Sequence, residues 1–424
     1  MTTIPTSTKH GVLSDADYVR ADEALAGTDA LLASEYPGDR DVRQPIHTVY
    51  VGMDRYTPEL PAQWGQQALA AAALHGGVAG VAQLVGLGGD PGLVANVQAK
   101  LENEPIEDLR LDAEDGYGDH PESEDRDTII TATRVAEAME RGLTTPFIGT
   151  RFKCFEAPTR RRGLRTLDLF VSTIVERAGK LPEGFILTLP KVSTLEQVEV
   201  MVDVLRRLEE GLGLPERTLK FEVQAETPQI ILGRDGTVTA APLLRVGDGR
   251  ITSLHYGTYD YSAFLGIDAA HQSMEHPVAD AAKDLLQLAV AATGVHLSDG
   301  STNILPIGDQ APEAWKLHAR LVRRHLERGI KQGWDLHPAQ LVTRYLATYA
   351  YYRDGFEAAA IRLSNYVNGI QTAIMDEPAT ARALAGFLHR GIVCGGISAQ
   401  DLASVADLSP EQVAEAARPP RRDV

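Results

Sequence analysis

Cysteine is nearly missing from this 424-residue chain, with Cys154 and Cys394 the only two. Two cysteines cannot build a disulfide framework or a cysteine-type zinc site, so they read as reduced thiols of a cytoplasmic protein. Aromatic residues are only 6% of the chain, too few for a surface that stacks nucleic-acid bases. Positive charge is also short. Forty-one Lys and Arg against 58 Asp and Glu leave a formal net charge of −17, the wrong sign for gripping a phosphate backbone. Nucleic acid is excluded as a partner. The opening residues MTTIPTSTKHGVLSDADYV show no basic-then-apolar leader pattern. One uncharged stretch, Trp64 to Gly89, is long enough to span a membrane, but Gly76, Gly77, Gly80 and Gly86 dilute it and Gln66, Gln67, His75 and Gln83 interrupt it. It is expected to form a packed helix followed by a glycine-rich loop, with no membrane partner. No G-x-G-x-x-G, Walker-type lysine loop or G-x-S-x-G elbow occurs, which disfavours nucleotide-binding sheets and serine hydrolases.

What is present is a rhythm. Short apolar runs at His47–Val51, Leu109–Leu111, Phe147–Arg151, Phe185–Leu189, Leu219–Val223 and Ile251–Tyr256, with shorter ones near Val295 and Trp334, alternate with helix-period stretches. Between Pro190 and Lys220, Ser193 and Glu196 read as a capping box ahead of an apolar stripe of Leu195, Val198, Val202, Leu205, Leu208 and Leu212. Other helices are expected at Asp15–Ser34, at Ala314–Ile330, and after Ser409 and Pro410. About eight strand–helix units favour a closed (β/α)8 barrel over a doubly wound sheet. The expected division is an N-terminal extension over 1–45, the barrel over 46–345, and a helical lid or oligomerisation region over 346–424.

In such a barrel, reactive groups sit where strands end and helices begin. Here polar residues follow the apolar runs in succession: Asp112, Glu114 and Asp115, then Arg151 and Lys153, Lys191, Glu226, Asp260 and His337. Glu226 and Asp260 are one unit apart, so their strands should be neighbours, and two carboxylates there can hold one hard divalent cation such as Mg2+. The alternative is that each merely caps a helix. Asp112, Glu114 and Asp115 fall in a segment, 101–127, that is dense in acids; they either hydrogen-bond waters of the cation or belong to a solvated loop. Arg151 ends a buried strand and must meet an anion, either a protein carboxylate or a substrate carboxylate. His255 lies inside a strand and reads as a satisfied core histidine. Cys154 reads as inert.

The segments LDAEDGYGD, GTRFK, LPKV, VQAETPQI, YGTYDYSAFLG and GWDLHPAQL occur in this order, and together they resemble the citrate lyase β-subunit-like superfamily, with its malyl-CoA lyases, Mg2+-dependent 2-oxo acid aldolases and some malate synthases. The resemblance covers roughly residues 46–345. It implies an α/β fold, the (β/α)8 TIM barrel, assembled as a homotrimer or hexamer. It also implies Mg2+ (or Mn2+) on Glu226 and Asp260, an oxo-acid substrate against Arg151, and Asp112, Glu114 and Asp115 close to the metal. The sequence departs from the family in reading Arg151-Phe152-Lys153 where R-V-N is usual, and its first crossover, 66–108, is longer. In CoA-cleaving relatives a C-terminal segment supplies an aspartate to the neighbouring subunit. The nearest match is Thr372 to Pro378, with Asp376 as that aspartate or else as a helix cap.

The implied function is carbon–carbon lyase or aldolase chemistry on a small 2-oxo acid or hydroxy acid, such as pyruvate, glyoxylate or oxaloacetate, through a metal-stabilised enolate. Rival readings are a CoA-thioester lyase or malate-synthase-like condensing enzyme, a non-catalytic oxo-acid-binding barrel, and a barrel that processes a phosphorylated or sugar substrate. Arg151→Ala is expected to remove turnover with little loss of folding. The apolar residues after Gln340 (Tyr345, Leu346, Tyr349, Tyr351, Tyr352, Phe356, Ile361, Leu363, Tyr366, Val367) are more than a lid needs to bury, so part of them is expected to meet a second subunit.

Overall fold

A computed structural model describes residues 12–39, 42–370 and 376–418. Eight strands carry the apolar runs: β1 (His47–Gly52), β2 (Asp108–Asp112), β3 (Phe147–Arg151), β4 (Ile186–Leu189), β5 (Lys220–Ala225), β6 (Ile251–Tyr256), β7 (His296–Ser298) and β8 (Gly333–Asp335). All pair in parallel in the order β7-β6-β5-β4-β3-β2-β1-β8. A bridge between Ser298 and Gln332 closes the ring. Spatial neighbours are sequence neighbours, as successive βα units require, and the fold is a (β/α)8 barrel.

Helix α1 (Asp15–Glu35) precedes the barrel and buries no side chain. The long first crossover holds α2 (Leu60–Ala73), α3 (Gly77–Leu84) and α4 (Pro91–Asn103); α5 (Glu124–Glu140), α6 (Arg160–Ala178) and α7 (Leu195–Leu212) follow β2, β3 and β4. After β5 come α8 (Pro228–Ile231) and α9 (Ala240–Val246), after β6 come α10 (Thr258–Phe264) and α11 (Pro277–Val290), and after β7 comes α12 (Ala311–Glu327). The chain continues through α13 (Pro338–Val367), α14 (Pro378–Val393), α15 (Ala399–Val405) and α16 (Pro410–Ala417). Among the described residues no helix is long and apolar enough to cross a membrane.

Two local expectations are corrected, and a third is narrowed. The glycine-rich stretch after α2 is itself helical in α3, because Val78, Val81 and Ala82 share one buried face; packing overrides glycine's low propensity. The capping box of α7 lies one residue later, at Thr194 and Gln197, where Gln197 accepts from the Ser193 and Thr194 amides (2.7 and 3.1 Å). The apolar density after Gln340 is used mostly inside the chain: Tyr345, Leu346, Tyr349, Tyr352 and Leu363 are buried where α13 packs on α2, α4, α12 and α14. Only Ile361, Tyr366 and Val367 of that set are left largely open. Helix α13 runs unbroken through residues 345 and 346.

The barrel interior is polar. Arg110 on β2 is fully buried and donates to Asp108 (2.5 Å), Glu222 (2.7 Å) and Thr188 (3.0 Å). Glu222 also accepts from Tyr50 (3.1 Å) and meets His255 Nε2 (3.1 Å). His255 is thus a satisfied core residue. A buried arginine is tolerable only because carboxylates from neighbouring strands surround it.

A second buried network joins the barrel to the helices behind β8. Asp335 accepts from His47 (2.8 Å), His318 (3.1 Å) and Arg344 (3.0 Å). Burial opposes its charge, yet Arg344, His318 and His47 together hold it well below the usual carboxylate range. His325 places one nitrogen against Ile330 O (2.8 Å) and the other against Arg344 Nη1 (2.8 Å). Burial and the arginine push it down to about 3. The folded protein thus keeps His325 neutral while the unfolded chain protonates it near the usual ~6.5, so its stabilisation is complete above that value and is lost as pH falls. Going from pH 7 to pH 5 should cost about 2 kcal/mol from this group. Urea midpoints at the two pH values should show that loss, and His325→Gln, which can keep both hydrogen bonds without titrating, should show less of it. Equal losses in both proteins would place the pH sensitivity elsewhere.

Candidate active site

Register brings Asp112 and Arg151 side by side, because they are paired positions at the ends of β2 and β3. The guanidinium grips the carboxylate in bidentate fashion, Nε to Oδ1 at 2.7 Å and Nη2 to Oδ2 at 2.5 Å. Arg151 therefore meets a protein carboxylate. Asp112 also accepts from the amides of Glu114 (2.9 Å) and Gly116 (2.7 Å). A side chain at Gly116 would put its Cβ 2.4 Å from Asp112 Oδ2, so only glycine lets this turn close. Asp112, grouped by the sequence with Glu114 and Asp115 as close to the metal and to the substrate, has both oxygens occupied in orienting Arg151 and folding the acidic loop. Lys153 fastens that loop from below, donating to Ala113 O (3.2 Å) and Gly118 O (3.0 Å).

Arg151 stacks over the Tyr50 ring, 4.8 Å from its centroid. With its amide oriented to satisfy its neighbours, Gln224 accepts from Arg151 Nη1 (3.2 Å) and donates to Glu226 Oε1 (3.2 Å), with the Tyr50 hydroxyl 3.3 Å from the same Gln224 oxygen. Glu226 follows β5 directly and also accepts from the Lys191 amide (2.9 Å). A Cβ on Gly257 would fall 2.4 Å from Glu226 Oε2, so the β6 end passes against this carboxylate because it carries no side chain. Neither Glu226 nor Asp260 is a helix cap: the caps are Thr227 and Gly257, and Asp260 lies in the first turn of α10.

Lys191 sits at the centre of the acids. Its ammonium reaches Glu114 Oε1 (2.6 Å), Asp115 Oδ2 (3.1 Å) and Asp260 Oδ2 (3.8 Å). Its backbone is left-handed, with φ at 51°, a conformation that costs a non-glycine residue free energy and clusters at functional sites. Arg151 Nη1 lies 3.5 Å from Glu114 and 3.9 Å from Asp115. Five carboxylates (Asp112, Glu114, Asp115, Glu226, Asp260) thus surround two cations, leaving negative charge in excess.

The electrostatics reflect that excess. Burial, reinforced by Asp260 and Glu114 and resisted by Lys191, pushes Glu226 up to about 8. Burial also raises Glu114 above its usual range, against the pull of Arg151 and Lys191. Asp115 is more open; burial disfavours its charge, but Arg151 and Lys191 outweigh that and hold it low. Glu114 Oε2 is buried without a hydrogen-bond partner. An orphaned buried carboxylate oxygen beside surplus negative charge fits a divalent cation. Among the described residues no three His, Cys, Asp or Glu side chains converge as metal ligands. A site of two carboxylates completed by waters, the kind Mg2+ favours, needs no third.

Asp376 is the outlier among the expected site residues. Its carboxylate pairs with Arg362 of the same chain (Nε 3.3 Å), and the cap of α14 is Glu377 rather than Asp376. Thr372 to Met375 lie outside the described residues. Sequence reasoning passed over Tyr50 and Gln224, which hold Arg151 and Glu226 in place, and noted Lys191 only as the residue after a strand.

A family model described as "Domain of unknown function (DUF6986)" matches residues 25–420. No curated protein sequence matches the chain. Among solved structures it is similar to a Haloferax volcanii malate synthase in a magnesium/glyoxylate complex, at 15% identity over 83% of this chain and 99% of that one, with a TM-score of 0.48. It is also similar to a citrate lyase β subunit from M. tuberculosis complexed with oxaloacetate and magnesium, at 16% identity over 72% and 96% of the two chains and a TM-score of 0.40. An HpcH/HpaI aldolase/citrate lyase family protein from Burkholderia cenocepacia J2315 shares 16% identity over 75% and 95%, with a TM-score of 0.39.

Proposed function

We propose that this chain, which belongs to the DUF6986 family, is a Mg2+-dependent carbon–carbon lyase or aldolase acting on a small 2-oxo acid or hydroxy acid. The observation that carries the reading is the pairing, at adjacent strand ends, of buried Glu226 with Asp260 in a surplus of negative charge. The ordered motifs read from the sequence support it. Glu226 and Asp260 would hold the cation, which when bound supplies Lewis-acid polarisation of the substrate carbonyl.

The remaining chemistry belongs to the chain's own groups. Arg151 keeps N–H donors that Asp112 and Gln224 do not occupy, and these can receive a substrate carboxylate or the charge that grows on its oxygen. Tyr50 and Asp112 fix the guanidinium plane, so no reorientation is needed as that charge develops. Glu114 Oε2, buried, without a hydrogen-bond partner, 3.5 Å from Arg151 Nη1 and with its proton affinity raised, is the atom at which a proton can be held and returned. Asp115, held ionised at the rim, keeps Lys191 in place. The thioester reading would need Asp376 as a proton carrier for a neighbouring subunit, and the Arg362 pair speaks against it.

The test is enolisation itself. With Mg2+ in D2O, the methyl protons of pyruvate should exchange at a rate NMR can follow, and EDTA should abolish the exchange. Asp260→Ala should weaken Mg2+ binding more than ~100-fold by calorimetry, beyond the 10–100-fold typical of residues that only support a ligand. Exchange that survives EDTA, or undiminished Mg2+ affinity in Asp260→Ala, would sink the metal assignment. Absence of both exchange and oxo-acid cleavage would sink the function.

A further inference from the structure

The opposite end of the barrel holds a second site. A cavity of about 210 Å3 lies where the segment leading into β1 and the starts of β7 and β8 meet α13, α14 and α16. It is smaller than the ~300–1,000 Å3 of pockets for drug-sized ligands. Most of its wall is apolar, with Val42, Ile46, Tyr352, Val393 and Ala417 among the lining residues.

Arg43 is matched by Glu104 and Glu107 (2.6 and 2.9 Å), Arg390 by Asp39 (2.8 Å) and Arg418 by Glu415 (3.0 Å). Lys331, just before β8, has no carboxylate within salt-bridge distance among the described residues. Its ammonium donates to Leu326 O (2.9 Å) and Tyr351 OH (3.3 Å) and lies 5.0 Å from the Tyr351 ring centroid. The buried cations Arg250, Arg344 and Lys283 are matched by Glu209, Asp335 and Asp299, whereas Lys153 donates to backbone carbonyls of the acidic loop. Burial, with Arg390 nearby, pushes Lys331 down to about 8, which registers the cost of holding that charge without a counter-ion. His296 and His389 complete the polar part of the wall.

Lys331, a cation on the wall of a small, mainly apolar cavity with no carboxylate beside it among the described residues, defines the ligand by complementarity. We infer that this cavity binds a small monocarboxylate bearing a short apolar chain, its carboxylate against Lys331 and its chain against Val42, Ile46 and Val393. A dianion such as phosphate brings more charge than the site lacks and no apolar surface. A neutral alcohol of the same length leaves Lys331 unmatched. The site is at the strand N-termini, away from the strand ends that carry Glu226 and Asp260, so its ligand is not the substrate of the proposed reaction and its test is independent of that reading.

The test uses the full chain with three probes: hexanoate, hexan-1-ol and inorganic phosphate. Hexanoate should raise the melting temperature saturably and give a titratable heat in calorimetry, and the other two should do neither. Lys331→Met should weaken hexanoate at least tenfold; because it removes an unmatched buried charge, it should melt no lower than the wild type without probe. Ala417→Phe, which fills the cavity and leaves Lys331 in place, should also abolish binding. Equal binding of hexanoate and hexan-1-ol would remove the carboxylate from the inference. No saturable hexanoate binding, phosphate binding in its stead, or full hexanoate affinity in Lys331→Met would each overturn it.

Discussion

Replacing Arg151 by alanine should lower turnover about 10²–10³-fold, the usual cost of losing one charge-stabilising donor, and should also destabilise the fold by about 3–5 kcal/mol. The second effect follows from the bidentate grip on Asp112. Without the guanidinium, Asp112 is a buried anion close to Glu114, with only backbone amides left to hold it. The expectation from sequence that folding would be little affected did not reckon with this pair. Urea unfolding separates the terms. Arg151→Ala should shift the midpoint strongly, and Asp112→Ala added to it should recover part of the loss, since the stranded charge goes with it. Arg151→Lys should fold better than alanine yet stay slow, because an ammonium cannot reproduce the planar fork. An Arg151→Ala protein with the wild-type midpoint would mean that Asp112 finds another partner and that the pair is not what holds the acidic loop.

Why the sequence could place the site but not assemble it is visible in the same residues. Barrel topology puts polar groups that follow strands on one face, and the short separation of Glu226 and Asp260 put them just after β5 and β6, which are adjacent. That much needs only periodicity and counting. The Asp112–Arg151 pair depends on cross-strand register, which no local pattern encodes, so the arginine's anion stayed open between protein and substrate. The polar barrel interior was hidden because Arg110 and Glu222 sit within runs that otherwise read as ordinary strands. Subunit contact was inferred for residues after Gln340 from their apolar density, and the long first crossover, whose helices α2 and α4 give α13 a surface to bury against, was read as length without consequence. The left-handed backbone at Lys191 has no sequence signature, since nothing but tertiary structure holds a lysine at φ 51°.

Lys191 carries the other large expectation. Replacing it by methionine should tighten Mg2+ binding at the Glu226–Asp260 pair by about tenfold or more. Its ammonium reaches Glu114, Asp115 and Asp260, and Glu114 and Glu226 hold it above the usual lysine range although burial disfavours its charge. A permanent cation among these carboxylates repels a second one; at 4 Å two unit charges in a protein environment interact by about 4 kcal/mol, less wherever solvent screens them. Methionine keeps the length of the chain and removes the charge, and the backbone amide that donates to Glu226 is retained. The sign of the change is the discriminating feature. Were Lys191 chiefly a brace that holds Glu114 and Asp115 in position, its loss would loosen the acidic loop and weaken the metal. Calorimetric titration of Mg2+ into wild type and Lys191→Met reads that sign directly, without recourse to activity. Turnover should fall in the same variant, because removing one of the two cations among five carboxylates raises the repulsion that an anionic substrate meets; a protein that binds the cation more tightly and reacts more slowly is the combination that loss of that charge demands.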